Sequence, residues 1–228
     1  MNDGLLVLLW SAVFAGGLAF CLWLSGRGLP RTYTRDLLHI GAGVWPFGWP
    51  AWHSPWPPVL VALTGLLLLV AVPLLARRFV AARALERAVS GEGDAWSGLV
   101  LYAFSAATFT AVGLLGRAPF PAAAALFALA LGDGIGGLVG RQWGGHRYRV
   151  PWAKTKSLEG SLVVAGFAAH GTAMAGLLFG APLSVVQVLG AGLAAALAEG
   201  VAPRAMDNVL VPLAVWLVAG GLESGGPP

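Results

Sequence analysis

From Gly4 to Leu24 the chain runs for 21 residues without a charged side chain. A helix of about 20 apolar residues spans the roughly 30 Å hydrocarbon core of a bilayer. The pattern recurs at Leu37–Trp52, Val59–Leu75, Ala95–Leu115, Pro119–Val139, Gly160–Phe179, Leu183–Ala198 and Val209–Leu222. The first, fourth, fifth and sixth segments are full length. The second, seventh and eighth are short enough to be re-entrant or broken. The expected architecture is an all-α polytopic membrane bundle of about eight transmembrane helices, with seven possible. Without an internal repeat or linker, residues 1–228 form a single domain. Only 11% of the residues are charged, against about 25% in soluble domains. That scarcity excludes a soluble enzyme, a disordered chain and a secreted disulfide scaffold. The first segment is too long for a signal-peptide core and reads as a true span. Cys21 stands alone and cannot form an intrachain disulfide.

The basic residues set the orientation. Taking the eight segments as spans, the first loop holds Arg27, Arg31 and Arg35, and the third holds Arg77, Arg78, Arg83 and Arg87. The fifth holds Arg141, Arg147, Arg149, Lys154 and Lys156, and the seventh holds Arg204. Thirteen of the 14 cations thus fall in odd loops, Arg117 being the exception. By the positive-inside rule the odd loops face the cytoplasm of a cell-membrane protein and both termini lie outside. The net charge of +4 is therefore a topology signal, and no nucleic-acid partner is expected. The third loop, with Phe79, Leu85 and Val89 at helical spacing among arginines, should continue the third span as a surface helix. Ser90-Gly91 would end it and Asp94 would cap the fourth span. The Trp/Pro-rich outer loop WPFGWPAWHSPWPP fits an interfacial aromatic belt.

Acidic residues inside apolar spans are the strongest functional signal, because a carboxylate at mid-membrane costs about 2.5–3.5 kcal/mol even on the lenient insertion scale. Asp133 lies six residues before the cytoplasmic end of the fifth span at Val139, a depth of roughly 9 Å. Glu199 ends the seventh span, where a helix C-terminus disfavours an anion. Both positions call for a cation: a divalent metal or the basic fifth loop. The stretch LGDGIGGLVGRQWGG spaces Gly132, Gly136 and Gly140 by four. That spacing suits close helix packing or close approach of backbone to phosphate. Its formal G-x-G-x-x-G match lacks a βαβ context, and no Walker A sequence occurs. The loop then enters the sixth span through Ser157 and Glu159, residues that also suit an N-cap and the helix dipole. A metal-binding carboxylate beside phosphate-binding cations is the recurring apparatus of phosphoryl and nucleotidyl transfer. Arg35 and His39 share a helix face by their i,i+4 spacing, and Asp207-Asn208 open the eighth span. All converge on the cytoplasmic side. His170, alone within the sixth span, reads as an interior histidine.

At these residues the chain resembles the CTP-dependent lipid kinase family of dolichol, phytol and CTP-using diacylglycerol kinases, relatives of the phosphatidate cytidylyltransferases. The resemblance extends from Arg35 to Pro212. Its most specific part, GDGIGGLVGRQWGGHRYRVPWAKTKSLEGS, is similar to the family's GD…G-R…G…K-S-x-E-G-S block. AEG…MDNVLVPL is similar to its E…DN-x-x-V-P-L ending, and RDLLH to its R-K-x-x-H segment, with Asp36 where a second basic residue is usual. The cytidylyltransferases share the first block but end on a KD-x-G…GHGG-x-x-DR signature that this chain lacks.

The resemblance implies a membrane-embedded phosphotransferase that passes the CTP γ-phosphate to a long-chain lipid alcohol of phytol or polyprenol type at the cytoplasmic face. It carries the family's functional positions onto Arg35, His39, Asp133, Gly140, Arg141, Lys156, Ser157, Glu159, Glu199, Asp207 and Asn208. The expected catalytic groups are Asp133, Lys156 and Glu199, with Mg²⁺ on Asp133, Glu199 and Asp207. Gly132 and Lys154 join the set expected to bind nucleotide and phosphate. A CTP:lipid-phosphate cytidylyltransferase is the rival within the same chemistry, and a small transporter is the rival from another class.

Overall fold

The computed structural model describes residues 2–89, 95–150 and 155–221. Asp94 and Lys154 lie outside the described residues. The architecture is the expected all-α bundle. Among the described residues five helices are long and apolar enough to cross a membrane. These are α1 (Asp3–Gly26), α3 (Trp56–Leu75), α5 (Ala95–Leu115), a central helix running from Pro119 to Trp143, and α8 (Leu158–Phe179). The apolar α9 (Val185–Val201) is shorter, and α10 spans Asp207–Gly221.

The central helix has three parts: α6 (Pro119–Phe127), one π turn (Ala128–Asp133) and α7 (Gly134–Trp143). Pro119 starts it where a missing N–H costs nothing. From Phe120 to Ala130 every residue is buried. The run is mostly alanine, and small residues let α5, α8 and α10 pack closely around it. α1 and α3 are instead largely exposed, with Leu8 at 69% and Leu67 at 67%. In water such a surface would be an aggregation liability; in a bilayer it is the lipid-facing side.

Three elements depart from the sequence expectation. The second segment is not one helix over Leu37–Trp52. It forms α2 (Arg31–Ala42) and then a 3₁₀ turn (Trp45–Ala51). Gly41 and Gly43 weaken the helix, and Pro46 and Pro50 remove the amide donors that would continue it. Within that turn Trp45 and Trp49 are buried at 4% and 2%. Trp45 donates its indole N–H to Thr110 Oγ1 at 2.9 Å, so these rings are core and not an interfacial belt. The third loop forms a separate helix, α4 (Val80–Val89), after a turn that ends α3. Leu85 packs inward against Val72 and Leu99.

Candidate active site

The site is assembled at one end of the bundle. The π turn ends on Asp133, and such single wide turns inside α-helices are frequent at functional sites. Asp133 Oδ2 stands 4.0 Å from His39 Nδ1 of α2. His39 is 3% exposed and stacks on Tyr102 of α5, with ring centroids 4.4 Å apart. The Tyr102 hydroxyl donates to the His39 carbonyl at 2.8 Å. His39 Nε2 has no hydrogen-bond partner. Asp207, Glu199, Lys156 and Arg35 all act electrostatically on Asp133.

After α7 the fifth loop forms a short antiparallel ribbon, β1 (Arg147–Arg149) with β2 (Thr155–Ser157), pairing Tyr148 with Lys156. Cross-strand partners share a face, and this face turns toward the bundle. The Tyr148 hydroxyl lies 2.7 Å from Ser161 Oγ of α8. Lys156 pairs with the Glu199 carboxylate and also donates to the Glu199 carbonyl. The cation wanted at the end of α9 is therefore Lys156. Both side chains are mostly buried, and Glu199 Oε2 is left without a partner. Ser157 caps α8, its Oγ accepting the Gly160 amide at 3.2 Å.

Between ribbon, α7 and α8 lies a cavity of about 280 Å³. Gly140, Arg141, Lys156, Ser157 and Glu199 all line it, with Arg147 and Thr155 from the ribbon. Gly136 and Gly137 line it too, three and four residues from Asp133, one helical turn along the same helix. Arg141 is held by an ion pair to Asp36 of α2, and Arg35 lies 3.8 Å from the other Asp36 oxygen.

Not every expected residue reaches this cavity. A Cβ on Gly132 would stand 3.3 Å from the Val164 carbonyl, so that glycine serves packing against α8. Glu159 turns back to the loop, accepting the His146 amide at 3.1 Å and lying 2.7 Å from its ring Nδ1. Asp207 Oδ1 accepts the Asn208 amide, and the Asn208 side-chain amide donates to the Ala205 carbonyl. Among the described residues no three His, Cys, Asp or Glu side chains form a ready metal cage. Sequence reasoning missed the ribbon and the partner of Arg141. The alternating R-Y-R ahead of the proline in VPW was the one local signal for the ribbon; nothing local in RDLLH signalled that Asp36 meets residue 141.

Fold and site together define a polytopic membrane protein with a cation-lined polar cavity at one end and the half-buried Asp133 one helical turn from Gly136 and Gly137 of its wall. No family model matches the chain, and neither does a solved structure. A curated phytol kinase of Synechocystis sp. is 30% identical over 237 residues, which covers 96% of this chain and 94% of that protein. The chain belongs to the phytol kinase family and is, in general terms, a lipid kinase.

Proposed function

We propose that the protein transfers the γ-phosphate of CTP to the hydroxyl of a long-chain isoprenoid alcohol, phytol or a polyprenol, on the cytoplasmic side of the cell membrane. The observation that carries this reading is one shared cavity. Arg141, Lys156 and Glu199 line it, and Gly136 and Gly137 of the same wall lie one helical turn from Asp133. The choice of CTP and of an isoprenoid acceptor draws on the resemblance of the GD…KSLEGS block and on the phytol kinase relative. The cytoplasmic assignment draws on the basic odd loops.

In this mechanism the alcohol lies among the apolar helices with its hydroxyl at the cavity. Its oxygen bonds to the γ-phosphorus while the β,γ-bridging oxygen leaves as CDP. Arg141 and Lys156 balance the charge on the transferring group. The hydroxyl proton passes to Asp133 or Glu199. Magnesium takes oxygen ligands and is commonly held by one or two carboxylates plus substrate phosphates. The unpartnered, buried Glu199 Oε2 suits that donor chemistry. Asp133 and Glu199 would hold the ion together with the substrate phosphates, whose charge it would neutralise, while Asp207, accepting the Asn208 amide, acts on Asp133 through its charge.

The test is purified protein in lipid with γ-labelled CTP and phytol. The kinase puts label into phytol; with phosphatidate supplied as the alternative acceptor, a cytidylyltransferase would instead release the label as pyrophosphate. Asp133→Asn abolishes transfer while the protein still accumulates in the membrane. Full activity in that variant overturns the site.

A further inference from the structure

A second cavity, about 490 Å³, lies apart from the catalytic one and shares no lining residue with it. It is formed where α1 ends, where α2 begins and along α4. Leu22, Leu29, Pro30 and Ala84 give it apolar walls, and Arg31 and Arg87 are its charged groups. No carboxylate lines it among the described residues.

Its surroundings say where it opens. α4 buries Leu85 and Ala88 but exposes Val80 at 74%, next to Phe79, exposed at 57%. From Arg77 to Val89 four arginines stand against Glu86 alone. Exposed apolar groups flanked by arginines on a short helix suit the headgroup boundary of a membrane. On the α1 side, Phe20 and Trp23 are exposed at 56% and 49%, and the Arg27 guanidinium lies 4.0 Å from the Trp23 ring centroid. The cavity thus combines two arginines with apolar side chains and lies beside a lipid-facing helix. Basic pockets between membrane helices recognise anionic headgroups in this way.

We propose that this cavity binds an anionic phospholipid of the surrounding leaflet, its phosphate held by Arg31 and Arg87 and its glyceride and acyl portion against Leu22 and Leu29. A water-soluble phosphate compound would leave those apolar walls unused.

The experiment uses the full chain in nanodiscs of phosphatidylcholine mixed with phosphatidylglycerol, and native mass spectrometry to count retained lipids. Wild type retains phosphatidylglycerol in preference to phosphatidylcholine. Each basic residue near an anionic surface is worth roughly fivefold in affinity, so Arg31→Gln with Arg87→Gln weakens retention roughly 30-fold. Ala84→Trp, which keeps both charges and fills the cavity, also loses the lipid. Kinase turnover in pure phosphatidylcholine is unchanged in both variants. Equal retention of the two lipids by wild type, or unaltered retention in both variants, overturns the proposal. Displacement of the lipid by excess inorganic phosphate overturns it in favour of a soluble-anion site.

Discussion

Lys156 satisfies two groups at once. Its ammonium pairs with the Glu199 carboxylate and also reaches the Glu199 carbonyl, one of the acceptors that the end of a helix leaves open. Removing one partner of a buried pair leaves an uncompensated charge and costs about 3–5 kcal/mol. Lys156→Met should therefore lower the melting temperature in detergent, and Glu199→Gln added to it should recover part of the loss. Activity should stay low in both, by about 10²–10³-fold, the scale of losing one electrostatic donor at a reacting group. Recovery of turnover along with stability would make the pair purely structural. At Asp36 the effect should be on binding. Its carboxylate fixes Arg141 against the cavity wall. A hydrogen bond to a charged group is worth about 1.5 kcal/mol or more, so Asp36→Asn should raise the nucleotide KM roughly tenfold. Steady-state kinetics with kcat nearly preserved would check it; an unchanged KM would free Arg141 from that dependence.

The contact between α7 and α8 sets where the cavity floor lies. A Cβ on Gly136 would stand 2.4 Å from Val164 Cγ2 and 3.1 Å from the Gly160 carbonyl, whereas one on Gly166 of α8 would meet nothing within 4 Å. Overpacking of this kind costs about 1–3 kcal/mol. Gly136→Val should destabilise the protein and reduce transfer, and Gly166→Ala should leave both as they are; thermal melts and the transfer assay compare them. The same element shows what a sequence can hold. The i,i+4 spacing of Gly132, Gly136 and Gly140 gave two meanings, packing or phosphate approach. The structure divides them: Gly132 meets Val164, while Gly140 faces both the Ser157 hydroxyl and the cavity. Long apolar runs such as Ala95–Leu115 were legible to the residue, because periodicity and length suffice when the solvent is lipid. The π turn before Asp133 was not, since an extra residue in a helical turn leaves no mark in an all-apolar run. The Asp36–Arg141 pair was equally hidden, because it depends on how two helices far apart in the chain dock.

At the scale of the molecule, contacts far apart in the chain sort the elements between the two ends of the bundle. Asp3 accepts hydrogen bonds from the backbone of His53 and Ser54, so the start of α1 and the Trp/Pro loop share one end. Trp49 packs near Phe179 at the close of α8, which adds the α8–α9 turn to that end. Asp36, Arg141, Lys156 and Glu199 gather at the other. The 12-residue α2 starts at the second end, and the 3₁₀ turn after it reaches the first. The broken segment thus reaches from one end of the bundle to the other, and eight crossings are a proposal that labelling tests. Under the positive-inside rule the arginine-rich loops would face the cytoplasm, and accessibility labelling tests that orientation. With Cys21 replaced by Ala, Ser54→Cys in intact cells should react with a membrane-impermeant maleimide. Arg83→Cys, on the exposed side of α4, should react only after the membrane is opened. The reverse pattern would invert the protein and put the cation-lined cavity outside, away from cytoplasmic nucleotide. Labelling of both from outside would remove one crossing and with it the alternation of charge between odd and even loops.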